Sequence, residues 1–171
     1  MPTSSRPKPK RVAERPAARV RYDAAGSTAD LVLDTHAWLW FVDGRHDKLA
    51  AGAITMIEQA ARRGALAASA MSAWELVMLQ RKGRMAFTVP VPQWIRDSGR
   101  TPGVRLLPVD ARIATDAGAL PDLDGKYGLN DPADHIIIAT ARAHGTLVTC
   151  DRRILGWARE HRHVNVIDGR A

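Results

Sequence analysis

The stretch Leu31-Val32-Leu33-Asp34 restricts the fold more than any other part of the chain. Three branched apolar residues run unbroken into a carboxylate, and a helical pattern starts immediately behind it. So short a continuous apolar run reads as a strand buried on both faces, the kind found in parallel sheets. The arrangement returns at Thr146-Leu147-Val148-Thr149-Cys150, again followed at once by an acid, Asp151. Further short apolar runs at 65–68, 104–109 and 164–167 bring the predicted strands to five. Helical spacing is predicted over 37–42, 48–63, 72–82, 92–98, 111–118, 132–144 and 152–159, while 85–89 reads as an extended edge segment. Strands that alternate with helices predict the α/β class, with a central parallel β-sheet flanked by helices. At 171 residues the chain suits one such domain with a proper core.

A strand buried on both faces delivers the residue after it to the carboxyl edge of the sheet, where open α/β sheets place their ligands. Asp34 and Asp151 both occupy that position; whether they meet depends on strand order, which the sequence does not state. Asp131 and Asp134 open the helix predicted over 132–144. Pro132 suits the first helical position, so Asp131 reads as the N-cap and Asp134 falls in the first turn. Glu75 completes Ser72-Ala73-Trp74-Glu75, which matches a capping box and also sits at a helix start behind a strand. Asp34 is the acid that capping explains least. Taken together, Asp34, Glu75, Asp134 and Asp151 form a candidate cluster of four carboxylates. Packed closely, such anions repel one another by several kcal/mol at low effective dielectric unless a cation joins them. Oxygen-only donors suit Mg²⁺ or Mn²⁺, which accept phosphates and can activate water for phosphodiester hydrolysis.

Other chemistries find no footing. The phosphate-cradling G-x-x-x-x-G-K-[ST] and G-x-G-x-x-G loops, the G-x-S-x-G elbow and H-E-x-x-H are all absent from the sequence. Cys150 is the only cysteine, so no intramolecular disulfide forms, which fits a reducing cytoplasm. It reads as a small core residue closing its strand. No apolar run approaches the roughly 18 residues of a membrane span, so a soluble, cytoplasmic protein is expected. The formal charge of +7 is unevenly placed: residues 1–26 hold seven basic residues against two acids, a net +5 that leaves +2 for the rest. Residues 1–29 therefore read as a flexible basic extension; the competing reading is an arm that touches phosphate backbones. Arg152 and Arg153, beside Asp151, are candidate phosphate contacts or simply a solvated face. The five tryptophans read as core or interface residues rather than base-stacking platforms.

Four motifs in register resemble the PIN-domain ribonucleases, and among them the VapC toxins of prokaryotic toxin–antitoxin pairs. They are Leu31–Trp40 around Asp34, Ser69–Glu75, Asp131-Pro132-Ala133-Asp134 leading into Ile136–Ala141, and Leu147-Val148-Thr149-Cys150-Asp151. The resemblance covers about residues 30–168, giving a PIN-like domain over 30–171, and departs at the tail of residues 1–29. It implies a metal-dependent endoribonuclease that hydrolyses RNA with metal-activated water. Asp34, Glu75, Asp134 and Asp151 would hold Mg²⁺ or Mn²⁺, and Thr149 would be the supporting hydroxyl. It also implies a cognate VapB-like antitoxin and a homodimer or toxin–antitoxin hetero-oligomer. The alternative is a catalytically silent PIN-like module that binds protein or RNA; a missing acid would mark it, and none is missing. A haloacid-dehalogenase-type phosphatase needs D-x-D after the first strand, whereas Thr35 and His36 follow Asp34.

Overall fold

In the computed structural model, which describes residues 30–100, 103–121 and 125–171, the segment Asp30–Leu33 forms the middle strand (β1) of a five-stranded sheet. The other strands are β2 (Leu66–Ser69), β3 (Arg105–Leu107), β4 (Gly145–Thr149) and β5 (Val166–Asp168). They lie in the order β3-β2-β1-β4-β5, and every pairing is parallel. The α/β expectation with a central parallel sheet is met. The expected basic extension over 1–29 lies outside the described residues.

Alternation along β1 divides the interior in two, because successive side chains leave a strand on opposite faces. Leu33 joins Leu66, Ala68 and Val148 in a core with Trp38 of α1 (Thr35–Val42), Ile57 of α2 (Ala51–Arg62), Leu76 of α3 (Ala70–Arg81) and Trp94 of α4 (Val91–Arg100). Val32 joins Ala67 and Leu147 on the other face, under Ile137 and Ile138 of α6 (Pro132–His144) and Trp157 of α7 (Arg152–His161). Helix α5 (Ala111–Gly118) packs against α6 through Ile113, Ala117 and Ala139, with Asp110 as its N-cap as the sequence suggests.

Several boundaries differ from expectation. Met85–Val89 is not a strand; Met85, Phe87 and Val89 are pinned irregularly against the first core. Helix α2 begins at Ala51, after a short 3₁₀ turn at His46–Lys48. Helix α3 starts directly at the end of β2, where Ser69 is the N-cap and accepts the Met71 N–H at 3.2 Å. Ser72 is therefore inside the helix, and the capping box expected of Ser72 and Glu75 does not form.

One close approach yields a stability test. A Cβ added to Gly156 in α7 would lie 2.5 and 2.8 Å from ring atoms of Tyr127, whose hydroxyl donates to Glu160 Oε2 at 2.6 Å. Alanine normally gains about 1 kcal/mol over glycine in a helix. Here the displaced ring reverses the sign, and Gly156→Ala is expected to destabilise by about 1–2 kcal/mol in denaturant titration.

Candidate active site

The strand order answers the question of whether the strand-end acids meet. From β1 the chain builds outward to β2 and β3 on one side, then returns across β1 to lay down β4 and β5 on the other. The reversal between β1 and β4 is the switch point at which open parallel sheets form a crevice at their carboxyl ends. Leu33 pairs with Val148, so Asp34 leaves the sheet beside Thr149, and Asp151 follows two residues later. Helix α6 brings its first turn, and α3 its second turn with Glu75, to the same edge. Asp34, Glu75, Asp131, Asp134 and Asp151 line one open cavity of about 440 Å³.

Asp34 is the most enclosed of these acids, 6% exposed. Contrary to expectation it does cap a helix: as N-cap of α1 its Oδ1 accepts the Ala37 N–H at 2.6 Å. Its Oδ2 accepts the Cys150 N–H at 3.1 Å and the hydroxyl of the fully buried Thr149. Burial raises its pKa above the ordinary carboxylate value, against the pull of these hydrogen bonds. Cys150, half-buried just beyond β4, packs against the first core as expected.

Glu75 projects from α3, and its Oε2 accepts the Thr35 hydroxyl at 2.5 Å. Burial raises its pKa; the Thr35 hydrogen bond opposes this, and the nearby charges of Asp131 and Asp34 add to it. Asp134 lies in the first turn of α6 with its side chain 14% exposed. Burial pushes its carboxyl up to about 6, assisted by Asp151, Glu75 and Asp131 and resisted by Arg153. Asp131 is the N-cap of α6, as expected, accepting the Ala133 N–H at 3.0 Å.

Asp151 is the N-cap of α7 and is clasped by Arg153. The Arg153 N–H donates to Oδ1 at 2.7 Å, while Nε and Nη2 reach Oδ2 at 3.1 and 2.6 Å. Burial would push this carboxyl up, but the Arg153 hydrogen bonds outweigh it and hold it below the ordinary range. Nη2 of the same guanidinium stands 3.3 Å from Asp134 Oδ2. Arg153 is thus spent on acids of the site rather than offered freely to phosphate, while Arg152 is exposed.

Among the described residues, no group of three or more His, Cys, Asp or Glu side chains is arranged to hold a metal ion. The donor chemistry nonetheless fits a hard cation. Every candidate ligand is a carboxylate oxygen, and Asp34, Glu75 and Asp134 are all biased toward their neutral forms by burial, with like charge adding to the bias on Glu75 and Asp134. Mg²⁺ keeps several waters and needs only one or two carboxylates, so a closed protein cage is not required.

Sequence reasoning missed two features. Thr35 fixes Glu75 from across the cavity, a role with no local signal. Trp74, expected as a core or interface residue, is outside the core and 55% exposed at the cavity wall, where Lys82 and Arg84 also stand. The other tryptophans are buried or half-buried, as expected. The spacing Trp74, Met78, Lys82, one helical face at steps of four, could have shown the exposed stripe.

Comparison with known proteins gives the chain a family. Residues 31–159 match the family model of the PIN domain. The chain is 35% identical over 134 residues to Ribonuclease VapC22 of Mycobacterium tuberculosis, covering 78% of this chain and 92% of that protein. Its fold also resembles a chain in the crystal structure of VapBC2 from Rickettsia felis bound to a DNA fragment from their promoter. There the TM-score is 0.58 at 16% identity, covering 81% of this chain and 98% of the other.

Proposed function

Since the chain belongs to the PIN-domain family, in its VapC-type branch, we propose that it is a divalent-metal-dependent endoribonuclease toxin restrained by a cognate VapB-like antitoxin. The observation that carries this reading is the convergence of Asp34, Glu75, Asp134 and Asp151 on one cavity at the sheet's switch point. The similarity to a ribonuclease supports RNA as the substrate class.

Asp34, Asp134 and Asp151 are the proposed ligands of Mg²⁺ or Mn²⁺, with Glu75 holding a second ion or orienting the attacking water. An ion bound there would supply positive charge opposite the phosphodiester and make a nearby water more acidic. The chain's own contributions are positional. Thr149 and the Cys150 N–H hold one oxygen of Asp34 while the Ala37 N–H holds the other, fixing the carboxylate plane. The Thr35 hydroxyl holds Glu75, whose raised pKa makes it a stronger base toward water than an ordinary glutamate. Arg153, between Asp151 and Asp134, partly offsets their repulsion before substrate arrives. None of the four acids is missing, so nothing favours a silent binding module.

As with the family, a homodimer or a toxin–antitoxin hetero-oligomer in the cytoplasm is proposed. No helix among the described residues is long and apolar enough to cross a membrane.

The test uses the full chain freed of any partner, incubated with mixed-sequence single-stranded RNA. Fragments are expected with Mg²⁺ or Mn²⁺ and none with EDTA. An RNA that stays intact with both ions overturns the proposal.

A further inference from the structure

We propose that the exposed face of α3 is the substrate-positioning track of this site: an unpaired RNA strand stacks a base on Trp74 and lays its backbone phosphates against Lys82 and Arg84. This rests on the nuclease reading and extends it to the form of RNA accepted.

Trp74 is 55% exposed, whereas Trp38 and Trp157 are fully buried and Trp94 is 7% exposed. A large aromatic left in water forfeits the burial that normally places such residues inside, and among the described residues no other ring contacts it. It stands next to Glu75 in the chain and lines the same cavity as the acids. Met78 and Lys82 follow at steps of four, so the three form one stripe rising along the helix. Eight residues at about 1.5 Å each span about 12 Å. That is on the order of three nucleotides of a stacked strand.

The stripe ends in positive charge. Lys82 and Arg84 are exposed, line the cavity and make no ion pair among the described residues. An aromatic platform followed by free cations is the arrangement that binds single strands irrespective of sequence. A duplex keeps its bases stacked and has no free face for Trp74, so the track selects unpaired RNA. A polyanion answers Lys82 and Arg84 and runs continuously into the acid-lined cavity, where its phosphodiester is cut. This favours RNA over a second copy of the chain as the occupant.

The experiment measures fluorescence anisotropy of a short labelled single-stranded RNA and of the same sequence as a duplex, with EDTA present so that nothing is cut. Wild type, Trp74→Ala, Trp74→Phe and the double variant Lys82→Ala with Arg84→Ala are compared. Trp74→Ala is expected to weaken single-strand binding about 5- to 100-fold and leave duplex binding unchanged. Trp74→Phe, which keeps a stacking face, should stay within about threefold of wild type. The double variant should reduce the slope of log affinity against log salt by roughly 1.4 on the single strand, the value for two lost phosphate contacts. Equal single-strand binding by wild type and Trp74→Ala overturns the proposal. So does a Trp74→Ala variant that binds RNA normally but sediments as a smaller species than wild type, which would make this face a contact between copies. The underlying reading fails separately. A wild type that binds through Trp74 yet cuts nothing with Mg²⁺ defeats the nuclease assignment alone. RNA cleavage with unchanged KM in Trp74→Ala defeats the track alone.

Discussion

Asp34→Asn is expected to lower RNA cleavage on the order of 100- to 1,000-fold while leaving the fold intact, measured by initial rates with Mg²⁺ and by circular dichroism. Two effects combine. The substitution removes a negative charge from the centre of the proposed ion site. It also replaces an acceptor with an NH₂ group in a position where each carboxylate oxygen already accepts protein hydrogen bonds. An NH₂ turned toward the Thr149 hydroxyl and the Cys150 N–H sets donor against donor, a mismatch worth about 1–3 kcal/mol. Against this, burial disfavours the ionised Asp34, and a neutral side chain escapes that cost. The opposing terms keep the stability change small beside the catalytic one. Cleavage within tenfold of wild type would remove Asp34 from the chemistry.

Asp134→Asn should do the opposite to stability: without metal, the variant is expected to be more stable than wild type at pH 8. The Asp134 carboxyl lies at about 6 in the folded chain against an ordinary value of 3.8. Between these values the folded state holds a proton that the unfolded state has released, so stability falls as pH rises through this window. At about 1.4 kcal/mol per pH unit, the loss is roughly 3 kcal/mol and is fully present above pH 7. The side chain is only 14% exposed, so little solvent screening applies. Losing the contact with half-exposed Arg153 returns at most about 1 kcal/mol. Asp34 and Glu75 contribute with the same sign, and Asp151 with the opposite one, since its lowered pKa stabilises at neutral pH and fades in acid. Urea titrations from pH 4 to 8 should show wild type losing stability across that range and Asp134→Asn losing clearly less. An identical pH dependence in both would mean that Asp134 carries no such cost. A carboxyl whose ionisation costs the fold stability is suited to the proposed role of ion ligand.

The parts of the fold that rest on unbroken patterns were legible. Helix α6 starts at Pro132, directly behind Asp131, and stops before Gly145, as its N-cap, first-position proline and terminal glycine dictate. Strands β1 and β4 stand where branched residues run into acids. Strand order was not legible, because no local pattern states which parallel strands adjoin. Yet that order is what brings Asp34 and Asp151 together. The start of α3 was misread because S-x-x-E fits Ser72 and Glu75 by spacing, while Ser69, three residues earlier, closes β2 and caps the helix at once. Glu75 was thereby freed for Thr35. Asp34 shows that capping and chemistry are not alternatives: the carboxylate that holds the Ala37 N–H is the same one held by Thr149. Trp74 illustrates a different miss: composition treats it like Trp38, while its helical spacing to Met78 and Lys82 sets it on the exposed stripe.

The claim that these acids form a divalent-ion site is tested most directly by calorimetric titration of Mn²⁺ into the partner-free chain at about pH 6, in buffers of different ionisation heat. The account predicts saturable binding accompanied by proton release, because carboxyls with raised pKa values must ionise to receive the ion. Asp34→Asn and Asp134→Asn should each abolish or severely weaken both signals. Binding of equal strength in wild type and both variants, or uptake without proton release, would contradict it.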